Sequence, residues 1–138
     1  MSNSPAQVIQ TLLTKPTDLQ HVKSLTTSDI TYVSLSENNP QLKRYLPWAG
    51  TNKGPDSIVR TFEGIGRTWE TKAFEVREVI EQGERVAMFG SFTYRGRESG
   101  KEITSPFSLL AHVKEGRISY IQFLEDTFGT SGTVSPKA

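Results

Sequence analysis

The chain has 138 residues, of which 35% are hydrophobic and 22% charged, and its formal net charge is +1. This composition is typical of a soluble globular protein, so we expect a single domain over residues 1–138, with an ordered core of about residues 5–128 and short polar tails. The balanced charge argues against a nucleic-acid partner, and no apolar run approaches the roughly 18 residues of a membrane span.

The chain has no cysteine and only two histidines, His21 and His112. Disulfides, cysteine-based zinc sites and a cysteine nucleophile are therefore excluded, and two distant histidines do not form a metal site. We expect neither a metal nor an organic cofactor. The N-terminal segment lacks the cationic stretch and apolar run of a secretory signal, so a cytoplasmic location is expected.

The first half of the chain is predicted to be mainly helical. Ser4 and Pro5 form a favourable cap and first turn, and the apolar residues that follow recur at helical spacing. A later loop is rich in Pro, Gly and Asn but still carries large apolar side chains. The predicted order is helix 4–15, helix 16–29, strand 30–36, loop 37–54 and helix 54–69.

The second half of the chain is predicted to be a sheet, because apolar and polar residues alternate there with period two. Short glycine-containing connections join the predicted strands and make neighbours antiparallel. Helices followed by such a meander predict an α+β domain with the helices on one face of the sheet. The predicted strands cover residues 73–81, 84–95, 101–113 and 117–127.

Strict alternation along each strand divides the sheet residues into two faces. One face is nearly all apolar and is expected to pack under the helices. The other is mixed, with enough large apolar residues that we expect a second copy of the chain to cover it, giving a homodimer. The expected inner face comprises Phe74, Val76, Glu78, Ile80, Val86, Met88, Gly90, Phe92, Tyr94, Phe107, Leu109, Ala111, Val113, Ile118, Tyr120, Gln122, Leu124 and Asp126.

Three motifs carry a resemblance to a known family. They are the loop and helix entry "LPWAGTNKGPDSIVRTF" (46–62), the hairpin "VIEQGERVAMFG" (79–90) and the last hairpin "VKEGRISYIQFLEDT" (113–127). With the helix order, they resemble the nuclear transport factor 2-like, or cystatin-like, α+β fold. Within that fold the chain is similar to the SnoaL-like polyketide cyclases and the ketosteroid-isomerase-related proteins.

The resemblance implies three N-terminal helices on a strongly curved, mostly antiparallel sheet, forming a cone around an internal pocket. Such proteins include isomerases, cyclases and dehydratases as well as ligand binders without activity, so the fold alone does not fix the chemistry. We expect a small hydrophobic, carbonyl-bearing ligand in the pocket. The expected ligand-binding residues are Tyr45, Trp48, Phe62, Glu78, Met88, Phe107, Leu109, Tyr120, Gln122 and Leu124.

Two adjacent carboxylates, Glu125 and Asp126, end the last predicted strand. Alternation places Asp126 on the pocket face and Glu125 on the outer face, and a bulge in the strand would exchange them. In SnoaL-like cyclases an aspartate near this strand end is the acid/base, so the resemblance implies that Asp126 is catalytic. The alternative is that Asp126 bonds the backbone amides of the segment that follows it.

Other candidates also have two interpretations. Glu78 lies in an apolar set and either lines the pocket or is turned outward by an irregular strand. Tyr45 and Trp48 either bind a flat ligand at the pocket mouth or only plug the cone. Ketosteroid isomerases carry their catalytic aspartate near the position of Tyr45, so that mechanism is not expected here.

Three functions remain open from the sequence. The first is a SnoaL-like domain with cofactor-free acid/base chemistry of the isomerase, cyclase or dehydratase type. The second is a binding module that uses the same pocket without catalysis. The third is a dimerisation module whose pocket is filled by its own side chains.

Overall fold

A computed structural model describes residues 3–136, which form five helices and one six-stranded sheet. The strand order is β2-β1-β6-β5-β4-β3. All neighbouring strands are antiparallel except β1 and β6, which are parallel. The elements are α1 (Pro5–Leu12), α2 (Leu19–Leu25), β1 (Thr26–Ser34), α3 (Pro40–Lys43), β2 (Gly50–Lys53), α4 (Pro55–Thr68), β3 (Trp69–Gln82), β4 (Arg85–Gly96), β5 (Glu102–Lys114), β6 (Arg117–Glu125) and α5 (Thr127–Ser131).

The predicted fold class is confirmed: α1, α2 and α4 pack on one face of a curled, mostly antiparallel sheet. The sheet is not closed, since β2 and β3 are its two edges. The side chains of α1 and α4 and the inner sheet face form the main apolar core. Its most buried members include Ile9, Leu12, Ile30, Ile58, Met88 and Ile118.

The helix boundaries follow local capping. The Ser4 side chain accepts a hydrogen bond from the Gln7 amide, and the Gln7 side chain accepts one from the Ser4 amide, which together form a capping box at α1. The longest helix, α4, begins at Pro55 directly after Gly54, whose φ of 88° is costly for other residues. Proline at the first helical position loses no backbone hydrogen bond there.

Strands β3 and β4 approach each other closely at Gly90 in β4. A Cβ atom at this position would lie 1.9 Å from the backbone oxygen of Glu75 and 2.8 Å from the Phe107 ring. Any residue with a side chain would therefore clash at this position, and only glycine permits the two strands to come this close. Next to this point β3 carries an extra residue, Arg77, between the pairs that Val76 and Glu78 make with β4. The bulge and the glycine together curl the sheet over the helices.

Several predicted boundaries were wrong. Residues 26–29 were predicted as helix, but they form the start of β1, because α2 ends at Leu25. The C-terminal tail predicted from about residue 129 is packed: α5 covers residues 127–131, and Thr130 and Thr133 are buried. The ends of both predicted tails, residues 1–2 and 137–138, lie outside the described residues.

Two bulges overturn part of the predicted face assignment. In β6, Ile118 pairs with Val113 and Tyr120 pairs with His112, so Ser119 is an extra residue and the faces exchange beyond it. Ile121, Phe123 and Glu125 therefore point inward. The bulge at Arg77 does the same in β3. Of the residues predicted to face the pocket, those turned to the outer face are Glu78, Ile80, Tyr120, Gln122 and Leu124.

Candidate functional site

An apolar cavity lies between the helices and the inner sheet face, and we call it the inner cavity. Its volume is about 60 Å³, which is room for a few atoms beyond the side chains that are present. Phe74, which is 46% exposed, stands at its rim. The predicted ligand residues Phe62, Met88, Phe107 and Leu109 do line it. The other lining residues are Ile9, Leu12, Leu13, Tyr32, Ile58, Ile65, Phe74, Val76, Tyr94, Ile121 and Phe123.

Only two residues of this lining carry a polar side-chain group, Tyr32 and Tyr94. They are 5% and 7% exposed, respectively. Tyr94 is fixed by ring contacts, with its centroid 4.9 Å from that of Trp69 and 4.2 Å from that of Phe92. No other residue of the range 3–136 forms a hydrogen bond with the Tyr94 hydroxyl. Among the described residues, only the Thr27 hydroxyl is a fully buried side-chain polar group without a partner, so the Tyr94 hydroxyl is not closed off and is available to a ligand.

Burial raises the pKa of both phenols. The pKa of Tyr32 rises to about 12, chiefly through burial, with a smaller rise from the negative charge of Glu125 and a decrease from the Ser34 and Thr61 hydroxyls. The pKa of Tyr94 also rises, first through burial and then through the charges of Glu125 and Tyr32. Both groups therefore keep their protons at neutral pH and act as hydrogen-bond donors.

Glu125 is the carboxylate next to these phenols. It is the last residue of β6, pairs with Phe107 across the strands and is only partly exposed. Burial raises its pKa to about 7; the Thr130 hydroxyl lowers it and the Asp126 charge raises it. Glu125 does not itself line the inner cavity, but its field reaches Tyr32 and Tyr94, which do. A carboxyl poised near neutral pH is suited to proton transfer.

Asp126 does not face the cavity, which corrects the prediction. It is exposed and caps α5: its Oδ1 accepts a hydrogen bond from the Gly129 amide at 3.0 Å. Its own amide donates to the Ser105 hydroxyl at 2.9 Å. The alternative interpretation agrees with the structure: Asp126 accepts a hydrogen bond from a backbone amide of the segment that follows it. The physical cause is the bulge at Ser119, which exchanges the two carboxylates.

Tyr45 and Trp48 lie together, but outside the inner cavity. They line a second depression on the other side of α4, which we call the α4 groove and which has a volume of about 720 Å³. Trp48 packs directly on Gly64, where a Cβ atom would lie 2.9 Å from two of the indole carbons. The predicted set of ligand residues is thus divided among the inner cavity, the α4 groove and the outer sheet face.

Strict alternation did not predict that the side chains of Glu125, Tyr94 and Tyr32 lie close together. A signal for Glu125 was present in the sequence: Ile118 and Ile121 are three residues apart, which breaks the period of two. The same break between Val76 and Val79 marks the bulge that turns Glu78 outward. Nothing in the sequence indicated that Tyr32, from the first half of the chain, would lie near Glu125.

Two further findings concern metals and membranes. Within residues 3–136, no three His, Cys, Asp or Glu side chains come together as they would to hold a metal ion. Of the helices formed by these residues, none combines the length and apolar character needed to cross a bilayer.

Curated proteins of related sequence come from two fungi. The chain is 40% identical over 124 residues to patulin synthesis protein F of Aspergillus clavatus, a match that covers 88% of this chain and 63% of that protein. It is 35% identical over 119 residues to patulin biosynthesis cluster protein F of Penicillium expansum, with 84% and 60% covered. The chain thus spans about three fifths of the length of these relatives.

Solved structures share the fold at low sequence identity. An NTF2-like protein from Burkholderia xenovorans LB400 aligns with a TM-score of 0.80 and 19% identity, covering 95% of both chains. TerC, co-crystallised with polyporic acid, aligns with a TM-score of 0.73 and 20% identity, covering 94% of this chain and 98% of TerC. The family model of the SnoaL-like domain matches residues 13–121. The chain therefore belongs to the SnoaL-like domain family and has the NTF2-like fold.

Proposed function

We propose that this domain binds a small cyclic, oxygen-bearing molecule in the inner cavity, widened as far as the adjoining Glu125, and catalyses a proton transfer on it with Glu125 as the acid/base group. The observation that carries the proposal is the inward position of the partly buried Glu125 at the end of β6, where it pairs with Phe107 of the cavity lining. Its charge acts on two buried phenols, and burial raises its pKa to about 7. A group with this pKa both takes up and releases a proton at neutral pH. Asp126 has no part in the chemistry, because its carboxylate caps α5.

The two phenols supply the hydrogen-bond donors that stabilise negative charge on the substrate during acid/base catalysis. When a carboxylate removes a proton from carbon beside a carbonyl group, negative charge develops on the carbonyl oxygen. Tyr32 and Tyr94 remain protonated and would donate hydrogen bonds to that oxygen. The protonated Glu125 then returns its proton to another carbon or to an oxygen of the same molecule. The sum is an isomerisation that consumes no cofactor.

The ligand class follows from the lining and from the relatives. All lining residues except the two tyrosines present apolar side chains, so the ligand is mostly apolar, with one oxygen near the phenols. The relatives' names place them in patulin biosynthesis, and TerC was crystallised with polyporic acid, a hydroxyquinone. Cyclic enones and hydroxyquinones are therefore the substrates to test first.

The cavity must widen to admit a ring. Its volume of about 60 Å³ is far below the roughly 300–1,000 Å³ of most small-molecule sites. Phe74 at the rim is half exposed and lies on edge strand β3, and the contact that it would lose on turning outward is its stacking on Phe107, with the ring centroids 5.0 Å apart. We propose that rotation of Phe74 opens the inner cavity to the ligand.

Hydrogen–deuterium exchange tests the proposal without knowledge of the natural substrate. The protein is incubated in D₂O with a panel of cyclic enones that carry a C–H bond next to the carbonyl group, and loss of these C–H signals is followed by proton NMR. Wild-type protein should accelerate exchange for at least one compound. Glu125→Gln should lower the enzyme-dependent rate at least about 100-fold, the contribution typical of an acid/base group. Asp126→Asn, the matched control, should keep the rate within a few-fold.

Binding measured on the same panel separates this function from its alternative. If compounds shift the signals of Tyr94 and Phe123 but the wild-type protein does not accelerate their exchange over buffer alone, the domain is a binding module without catalysis. If Glu125→Gln exchanges the compounds as fast as wild type, Glu125 is not the acid/base group. If Asp126→Asn rather than Glu125→Gln abolishes exchange, the assignment of the acid/base group is wrong.

We also propose that two copies of the chain associate through the outer sheet face. Among residues 3–136, no helix covers this face, and it exposes Ile80 (56%), Phe89 (42%) and Leu124 (37%). The rings of His112 and Tyr120 lie beside them, tilted to each other, with their centroids 4.9 Å apart. A twofold dimer would bury the same apolar patch from both copies. Phe89→Asp should convert the dimer to a monomer in sedimentation experiments, whereas Phe128→Asp, a change at a residue 92% exposed in α5, should not.

A further inference from the structure

The α4 groove has the size and the chemistry of a second binding site. Its volume of about 720 Å³ falls within the usual range for small-molecule sites, roughly 300–1,000 Å³, unlike the inner cavity. One wall is the outward face of α4, and the opposite walls come from the α3–β2 segment, the β4–β5 hairpin and the chain after α5. The lining residues are Tyr45, Pro47, Trp48, Asn52, Ser57, Arg60, Thr61, Gly64, Arg67, Thr68, Gly96, Arg97, Glu98, Ser99, Thr133, Val134 and Ser135.

Hydrogen bonds, one of them fully buried, connect the residues around this groove. Trp69 donates its indole N–H to the Thr133 hydroxyl at 2.7 Å, and the Ser99 hydroxyl donates to the Thr133 backbone oxygen at 2.8 Å. Asn52 donates to the Trp48 backbone oxygen at 3.2 Å, which fixes the aromatic wall. A site with walls ordered in advance loses less entropy when a ligand binds.

The charge around the groove is positive. Its lining contains three guanidinium groups and one carboxylate, that of Glu98. Arg60 is paired with Asp56, and Arg97 donates its Nε to the Gly66 backbone oxygen at 2.8 Å, which leaves its two terminal nitrogens for other partners. Arg67 forms no ion pair with any residue of the described range.

Aromatic rings and guanidinium groups in the lining of one groove select for a particular ligand. The faces of Tyr45 and Trp48 suit a flat ring, and the planar fork of arginine suits a carboxylate or another ionised acid group. We infer that the α4 groove binds a flat unsaturated ring bearing an ionised acid group, with the ring against Trp48 and the acid group at Arg67 and Arg97. This site is separate from the inner cavity and independent of catalysis by Glu125.

The test uses 2-naphthoate and its neutral counterpart 2-naphthamide as probes, followed by NMR chemical shifts of the wild-type protein. We expect 2-naphthoate to bind with a Kd of about 1 mM or tighter, as its number of heavy atoms suggests, and 2-naphthamide to bind at least about tenfold more weakly. The largest shifts should be those of the Trp48 indole and the Arg67 side chain, and the methyl groups of Leu109 and Ile121 should not move.

Variants then test whether Arg67 is the residue that binds the carboxylate of 2-naphthoate. Arg67→Gln should weaken 2-naphthoate binding about tenfold, the effect of losing one charge-assisted hydrogen bond, and leave 2-naphthamide unchanged. Arg77→Gln removes the same charge from exposed β3 and should change neither Kd. The inference is overturned if the acid does not bind, if both probes bind equally, if the shifts map to the inner cavity, or if Arg77→Gln weakens binding as much as Arg67→Gln.

Discussion

Replacing Glu125 by glutamine should stabilise the folded protein, and the gain should grow with pH. Burial raises the pKa of this carboxyl from an ordinary 4.5 to about 7. The folded state therefore favours the protonated form. The stability that this form provides is fully present below about pH 4.5 and is lost as the pH rises through about 7. Glutamine has nearly the same shape and stays neutral throughout.

The size of the gain follows from the difference between the two pKa values. At 1.36 kcal/mol per pKa unit, ionising Glu125 in the fold costs about 3 kcal/mol above pH 8. The partial exposure of the side chain makes this an upper value, because solvent screens the charge. Near pH 5 the carboxyl is protonated in the fold, so the advantage of glutamine should be less than about 1 kcal/mol there.

Urea unfolding near pH 5 and pH 8.5 measures this difference. With a slope of about 1.5 kcal/mol/M, Glu125→Gln should raise the midpoint by up to about 2 M at the higher pH and by less than about 0.7 M at the lower. Glu78→Gln, at an exposed carboxylate on the outer face, should change stability by less than about 0.5 kcal/mol at either pH. An equal gain at both pH values, or a loss at the higher one, would refute the reasoning.

Three further predictions rest on other contacts. Asp126→Ala should cost about 1 kcal/mol in thermal unfolding because α5 loses its cap, while Asp126→Asn should cost little; equal losses would contradict the capping role. Gly90→Ala should cost about 3 kcal/mol, because a Cβ atom there would lie 1.9 Å from the Glu75 backbone oxygen, and an unchanged melting temperature would disprove the close approach. The exchange rate catalysed by Glu125 should rise as the pH passes about 7 and then level off; a rate that falls over this interval would exclude a carboxylate base.

The local pattern of the sequence was enough for the fold class. The apolar spacing in residues 54–69 predicts α4, and the alternation in residues 84–95 and 101–113 predicts β4 and β5 with their inner faces correct and their bounds within one residue. These elements are regular, so period and face can be read from the chain itself. The three motifs that resemble SnoaL-like proteins pointed to the family that the comparison confirms.

The candidate site was harder to predict, because it depends on two irregular positions. The extra residues Arg77 and Ser119 exchange the faces of the strand ends that follow them, so Glu78 lies outside and Glu125 inside. Each bulge leaves a spacing of three between apolar residues, a signal that strict alternation does not use. Because of the bulge at Ser119, the carboxylate near the phenols is that of Glu125 and not that of Asp126.

The sequence by itself determined an α+β domain with an apolar inner face and a pair of carboxylates at the end of its last strand. Only the tertiary structure decided which carboxylate faces inward and what surrounds it. Tyr32 comes from β1 and Tyr94 from β4, and they meet near Glu125 because β1 pairs in parallel with β6 while the curled sheet brings β4 over the same end. Burial among these distant residues raises the pKa of Glu125, and no local pattern contains that information.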